Sequence, residues 1–251
     1  MHGWRARIGL IVPSSNSTNE PEFYQRLPSG TTLHTARMLY DTLSVEHQER
    51  MYEQGQEAAE RLATTEVDVI AFGCTTGSLV TGEPTYALDL EERLAEAGDA
   101  PAVATAASIL RAFTALELDS LVIHTPYPEE MNRRERDFIE AAGIDVLEID
   151  GLGIRPGAEK GRINPEEVYR HVRDLDRSAA DGVFVSCTNY RTFEILDRLE
   201  RDLGKPVVSS NQALLWNTLA AAGIDDADVT LGRLFETAVP QLSLAEPAGA
   251  P

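Results

Sequence analysis

The 251-residue chain has few basic residues and no long hydrophobic run. Lysine and arginine number 22 against 41 acidic residues, so the formal net charge is −19. A surface this negative repels nucleic-acid phosphates and anionic membrane surfaces, which excludes both as expected partners. No run approaches the roughly 20 apolar residues that span a bilayer, and the N-terminus has no apolar signal segment. The sequence therefore predicts a cytoplasmic protein without a membrane partner.

Lysine is nearly absent from the chain. Lys160 and Lys205 are the only two, and arginine supplies the other basic groups. An acidic, lysine-poor surface is typical of proteins that work at high salt, where screening weakens the repulsion between like charges. The composition thus predicts a halophilic protein, with an acidic protein of ordinary salt tolerance as the alternative.

Cysteine is also scarce, with Cys74 and Cys187 the only two. Two cysteines cannot build a disulfide framework, and in the cytoplasm both are expected to be reduced. They do not form a CxxC pattern, and no group of His, Cys and Asp has the spacing of a zinc site. No metal is predicted.

The two cysteines occupy equivalent places in an internal duplication. Each lies six residues after an aspartate and 61 residues after a proline, which is Pro13 in the first copy and Pro126 in the second. A duplicated chain predicts two similar lobes that bring both thiols to one cleft. Opposed thiols can move protons or attack carbon.

Short runs rich in Val and Ile alternate with amphipathic stretches along the chain. Strands are predicted at 8–12, 67–72, 121–125, 183–186 and 206–209, and helices at 45–63, 87–97, 129–142, 165–180 and 191–203. This alternation is typical of parallel sheets covered by helices, which predicts an α/β fold. Residues 1–113, completed by 215–240, are predicted to form lobe 1, residues 114–214 lobe 2, and residues 245–251 a disordered tail.

Each cysteine ends an apolar run and precedes small polar residues, which predicts a strand end followed by a helix start. Ligands of parallel sheets bind at the carboxyl ends of strands. A thiol at a helix N-terminus meets free backbone N–H groups that lower its pKa toward the reactive range. Free cysteines are usually buried core residues. The matched positions instead favour Cys74 and Cys187 as a catalytic pair.

Five motifs occur in order over residues 7–235. They are Val12-Pro13-Ser14-Ser15-Asn16, Gly73-Cys74-Thr75-Thr76-Gly77, Thr125-Pro126-Tyr127, Ser186-Cys187-Thr188 and Ser209-Ser210-Asn211-Gln212-Ala213-Leu214-Leu215-Trp216. Together they resemble the Asp/Glu racemase superfamily, in its branch of maleate cis-trans isomerases and arylmalonate decarboxylases. The resemblance implies two pseudo-symmetric flavodoxin-like lobes, an active site between them, and no cofactor or metal. A homo-oligomeric state stays open.

Within this resemblance the two thiols favour an isomerase. Arylmalonate decarboxylases typically carry Gly at the position of Cys74. Amino-acid racemases use two cysteines, but neither cysteine motif here contains a carboxylate for a substrate ammonium group. The prediction is a cysteine-dependent cis-trans isomerase of a small unsaturated dicarboxylate such as maleate. Alternatives are an amino-acid or hydantoin racemase, an arylmalonate-type decarboxylase and a non-catalytic two-lobed carboxylate-binding protein.

The resemblance also implies residue roles. Cys74 adds to the alkene as the nucleophile, and Cys187 acts from the opposite side. The substrate-binding residues carried over from the motifs are Ser15, Asn16, Thr75, Thr76, Tyr127 and Thr188. Simpler roles are a helix cap for Asn16 and a turn for Tyr127. Isomerases of the family commonly carry an Asn near Gly157 that binds a carboxylate. In its absence, the expectation is that Arg155 or backbone groups bind the second carboxylate, or that the substrate is something other than maleate.

His124 is the histidine closest in sequence to a motif, since it directly precedes Thr125. Buried polar side chains are usually paired by hydrogen bonds. We therefore expect His124 to be a core histidine and not a site residue.

Overall fold

The computed structural model describes residues 2–40, 45–79, 81–225 and 229–242. The predicted tail at 245–251 lies outside the described residues. Among the described residues no helix is both long and apolar enough to cross a membrane.

Two four-stranded parallel sheets form the centre of the fold. The first contains β1 (Ala6–Pro13), β2 (Thr31–Met38), β3 (Val69–Phe72) and β4 (Ala102–Ala104), in the order β2-β1-β3-β4. The second contains β5 (Ser120–Thr125), β6 (Asp145–Gly151), β7 (Gly182–Val185) and β8 (Val207–Ser209), in the order β6-β5-β7-β8. The repeated order confirms the predicted α/β class and the two similar halves.

Ten α-helices connect the strands in the described part of the chain. They are α1 (Asn19–Arg26), α2 (Val45–Ala63), α3 (Thr75–Ser78), α4 (Pro84–Gly98), α5 (Thr105–Ala115), α6 (Glu129–Ala141), α7 (Gly157–Lys160), α8 (Pro165–Leu175), α9 (Leu196–Leu203) and α10 (Ser210–Ala221). A short 3₁₀ helix follows at Arg233–Glu236.

The five predicted strands are all present because their apolar residues are buried on both faces, as in β1 and β7. The edge strands β2, β4 and β6 were not predicted. β2 and β6 carry polar residues and are only partly buried, so they lack a continuous apolar run, and β4 has only three residues.

Two helix predictions were wrong at one end. The helix predicted at 165–180 ends at Leu175, because Asp176 is extended and its carboxylate pairs with Lys205 Nζ at 3.0 Å. The helix predicted at 191–203 begins only at Leu196. The preceding backbone is held by the Glu22 carboxylate of the first half, which accepts the N–H groups of Thr192 and Phe193 at 2.6 and 2.9 Å.

The two halves share their core. One cluster of buried residues joins Ile8 and Leu10 of the first sheet with Val183 and Val185 of the second. The helix after each last strand reaches the other half. Phe113 of α5 packs edge-on against Phe184 of β7, with ring centroids 5.4 Å apart, while α10 contacts β3 and β4. The predicted lobe boundaries stay a prediction.

Candidate active site

A pocket lies at the carboxyl ends of β1, β3, β5 and β7. These are the two central strands of each sheet. The strand order reverses between them, and α/β sheets bind ligands at such a switch point. The pocket is lined by Pro13, Ser15, Asn16, Tyr40, Cys74, Thr75, Thr76, Tyr127, Gly157, Lys160, Cys187, Thr188 and Asn189. The structure thus brings all eight predicted site residues together.

Cys74 is buried and caps the short helix α3. Its Sγ accepts the backbone N–H of Gly77 at 3.3 Å and lies 3.8 Å from Thr76 Oγ1. Burial raises the pKa of the Cys74 thiol to about 11, although the Gly77 N–H and the Thr76 hydroxyl lower it. The predicted depression of this pKa is therefore wrong, because loss of solvent outweighs two donors.

Cys187 has a different backbone. No helix starts at this cysteine, contrary to the prediction, since Thr188 and Asn189 form a turn and α9 begins at Leu196. The φ angle of Cys187 is +112°, a backbone conformation that residues other than glycine rarely adopt. Such strain persists where the surroundings impose it, often at functional sites.

The thiol of Cys187 is held by two donors. Its Sγ accepts the Asn189 N–H at 3.4 Å, and the Tyr127 hydroxyl donates a hydrogen bond to it. Burial raises the pKa of Cys187, while the positive charge of Lys160 and the Tyr127 hydroxyl lower it. The prediction of a depressed pKa is wrong for this thiol as well.

Ser210 connects the two cysteine motifs. Its Oγ accepts the Thr75 hydroxyl at 3.0 Å and the Cys187 N–H at 3.0 Å. Ser210 is fully buried at the first position of α10. The beginning of α10 therefore sets the spacing between the backbones that carry the two thiols.

Asn16 both caps a helix and lines the pocket. Its Oδ1 accepts the N–H groups of Thr18 and Asn19 at 2.9 and 3.0 Å, at the start of α1. Its Nδ2 donates to Thr188 Oγ1 at 3.1 Å, and Thr188 Oγ1 donates to the Gly73 carbonyl at 3.1 Å. An amide nitrogen carries two N–H groups, so one remains for a ligand.

The segment around Gly157 differs from the prediction. The Arg155 side chain is 72% exposed and pairs with Glu130 at 2.7 Å, so it does not line the pocket and the prediction that it binds a carboxylate is wrong. A side chain at position 157 would overlap Ser15 Oγ. Lys160, which follows three residues later, does line the pocket.

The charge of the pocket favours an anion. Among the described lining residues there is one cation, Lys160, and no Asp or Glu. The other polar groups are hydroxyls and amides, which can donate hydrogen bonds. In the described ranges no group of three or more His, Cys, Asp or Glu residues is arranged to hold a metal ion.

His124 does not line the pocket. It is fully buried, its Nε2 lies 3.0 Å from the Tyr190 hydroxyl, and its ring stacks on His171 with centroids 5.3 Å apart. Burial lowers its pKa to about 4. The structure confirms a hydrogen-bonded core histidine.

The arylmalonate decarboxylase family model matches residues 8–235. The chain belongs to the arylmalonate decarboxylase family. A maleate isomerase from Geobacillus stearothermophilus is 29% identical over 232 residues, which cover 87% of this chain and 92% of the relative. An arylmalonate decarboxylase from Bordetella bronchiseptica is 26% identical over 238 residues, covering 91% and 96%. These relatives confirm the branch that the motifs predicted.

A solved structure from the same branch has the same fold. It is a cysteine-to-serine variant of the Nocardia farcinica maleate cis-trans isomerase with a covalently bound succinylcysteine intermediate. The TM-score is 0.84 at 26% identity, over 92% of this chain and 98% of the other.

Five residues line the pocket in addition to the eight predicted site residues: Pro13, Tyr40, Gly157, Lys160 and Asn189. Tyr40 follows the unpredicted strand β2, and its N–H donates to Ser14 Oγ at 3.1 Å. Asn189 directly follows the Ser186-Cys187-Thr188 motif. The only signal for Lys160 was its rarity, since the chain has two lysines.

Proposed function

We propose that this protein is a cofactor-independent cis-trans isomerase that converts maleate, or a closely similar cis-dicarboxylate, to its trans isomer. The observation that carries the proposal is a single pocket with two thiols, several neutral donors and one cation. The relatives named maleate isomerase support it, as does the succinylcysteine intermediate of the Nocardia enzyme.

The first step is addition of the Cys74 thiolate to one alkene carbon. The thiol first loses its proton to solvent, because the thiolate is the nucleophile, and elimination of the product regenerates the thiolate. A carbon–sulfur bond forms, and the electron pair of the double bond moves to the neighbouring carbon and into its carboxylate. We assign the stabilisation of this enediolate-like group to the free N–H of Asn16 and to the hydroxyl of Thr76, which both line the pocket. The Thr188 hydroxyl, which donates to the Gly73 carbonyl, orients Asn16.

Rotation follows, because the former double bond is now single. The electron pair then returns to form the trans alkene, and the carbon–sulfur bond breaks. Cys187 and the Tyr127 hydroxyl that donates to it line the same pocket. We assign this pair to proton transfer with the adduct, or to orienting it, from the side opposite Cys74.

Decarboxylation of an arylmalonate is the second candidate, because the Bordetella relative carries that name. The presence of a thiol at position 74 argues against it, since decarboxylases of the family typically carry Gly there. An amino-acid racemase needs a partner for the substrate ammonium group, and the described pocket lining contains no carboxylate.

An assay in heavy water separates these reactions. The protein is incubated with maleate, arylmalonates, aspartate, glutamate and hydantoins. We expect fumarate from maleate. It should contain little deuterium if the adduct rotates without protonation on carbon, because the alkene C–H bonds then never break, and it should gain deuterium if Cys187 protonates the adduct. Carbon dioxide from an arylmalonate, with maleate unchanged, would replace the proposal with decarboxylation. Deuterium at the α-carbon of an amino acid would replace it with racemisation.

The cytoplasmic location and the salt adaptation stay predictions from composition. If the acidic surface is adapted to salt, the melting temperature should rise from dilute buffer to molar KCl, because screening weakens like-charge repulsion. An unchanged melting temperature would contradict the halophilic interpretation and leave the catalytic one intact.

A further inference from the structure

Lys160 is a buried cation in the wall of the pocket. Lys160 is only 4% exposed, and its Nζ lies 4.8 Å from the centroid of the Tyr127 ring. Among the described residues no carboxylate is paired with it. Lysines are almost never this buried without a partner, because an ammonium group loses its hydration there. The aromatic face compensates only part of that loss.

The backbone around Lys160 is held firmly against the first half of the chain. The Gly157 carbonyl accepts Asn189 Nδ2 at 2.8 Å, and the same Nδ2 donates to the Ser15 carbonyl at 3.3 Å. A side chain at Gly157 would overlap Ser15 Oγ, and one at Gly161 would overlap Ser17 Oγ. Close contacts at both ends of α7 therefore fix the backbone position of Lys160, and its long side chain extends from there to the pocket.

Isomerases of the family commonly carry an amide side chain near Gly157, whereas here the position is Gly and any side chain on it would have to displace Ser15 Oγ. Arg155 cannot replace it, since it pairs with Glu130 outside the pocket. Of the cationic side chains in this segment, Lys160 is the one that reaches the described pocket lining.

We propose that the Lys160 ammonium group binds the second carboxylate of the substrate and makes this protein select a dianion. The inference rests on the proposed function and specifies its substrate class. An ammonium group is a point charge with three donors, whereas an amide offers neutral hydrogen bonds. It should therefore favour a substrate with two carboxylates over one in which the second is a neutral amide or ester.

The test compares Lys160→Met, which keeps the length and removes the charge, with Lys160→Arg, which keeps the charge. Arg155→Met is the matched control, because it removes a cation from the same segment outside the pocket. For Lys160→Met we expect KM for maleate to rise about 100-fold with a smaller change in kcat, as when one partner of a buried charge pair is lost. The preference for maleate over its monoamide should fall by a similar factor. Lys160→Arg should retain most of the preference for maleate over its monoamide. Arg155→Met should retain all of this preference.

Binding of succinate, a saturated dicarboxylate that cannot isomerise, is the second readout. Calorimetry should show tight binding to the wild type and to Arg155→Met, and much weaker binding to Lys160→Met. This result in a protein that does not convert maleate would uphold the role of Lys160 and refute the isomerase function. Unchanged KM and unchanged succinate binding in Lys160→Met would overturn the role of Lys160.

A variant that fails to fold does not end the test, because the wild type can be probed directly. The wild type should bind succinate far more tightly than butyrate, which has one carboxylate. Equal affinity for the two ligands would overturn the selection of a dianion.

Discussion

The two halves of the molecule have the same strand order and the same cysteine spacing, yet their thiols are held differently. Cys74 has an ordinary extended backbone with φ −145° and receives the Gly77 N–H of its own helix. Cys187 has φ +112° and receives a hydrogen bond from Tyr127. The duplication therefore conserved the position of each thiol and changed its environment, which supports one thiol for attack and one for proton transfer.

The largest effect is expected from Cys74→Ala. Removing the nucleophile leaves no group to form the carbon–sulfur bond, so turnover of maleate should fall by about a thousandfold or more. Fumarate production by the purified variant measures this. A variant with unchanged thermal stability and nearly full activity would show that Cys74 is not the nucleophile.

Cys187→Ala should also lose most turnover, because residues that act as a unit are not additive. The difference lies in what accumulates. Cys74 can still add to maleate in this variant, so intact-protein mass spectrometry should detect an adduct with the mass of one maleate. Cys74→Ala should give none. An adduct found only in the Cys74→Ala protein would exchange the two roles.

The pH dependence of alkylation measures the environment of each thiol separately. With Cys187 replaced by Ala, iodoacetamide should modify Cys74 at pH 7 about 100-fold more slowly than a free thiol, because the thiolate fraction falls as the pKa rises. The rate should climb with pH until about pH 11, because burial raises the pKa of Cys74 to about 11. A plateau near the pKa of an ordinary thiol, or below it, would contradict the effect of burial.

The smallest effect concerns stability and has opposite signs at the two sites. At Cys187, with φ +112°, Gly should be more stable than Ala by about 1 kcal/mol, because Gly adopts positive φ without strain. At Cys74, with φ −145°, Ala should be more stable than Gly by about the same amount. Denaturant unfolding of the four variants measures both differences. The same order at both sites would remove the evidence for strain at Cys187.

The interior of the fold could be predicted from sequence because β1, β3, β5 and β7 are continuous apolar runs with turn residues at their ends. The same runs place the cysteine motifs and Tyr127 at the carboxyl ends of the central strands. The edge strands β2 and β6 could not be predicted, because their residues are partly exposed and carry no clear period. The start of α9 at Leu196 could not be predicted either, because it depends on the contact of Thr192 with Glu22, 170 residues away in sequence.

The pKa of each thiol and the position of Lys160 could not be predicted, because they too are set by groups that are distant in the chain. Burial of Cys74 depends on packing of the whole pocket, and the direction of Lys160 depends on the contact of Gly157 with Ser15. No local pattern around a lysine shows whether its charge faces solvent or a substrate.

By itself, the sequence determined the α/β class, the duplication and the matched positions of the two thiols, because these follow from periodicity and spacing along the chain. The set of motif residues that meet in one pocket was implied by the resemblance of those motifs to a known family. The tertiary structure decided how the two thiols differ, which cation lines the pocket and where the segment around Gly157 approaches Ser15. Those properties arise from desolvation and from contacts between the halves, which exist only once the two sheets share a core.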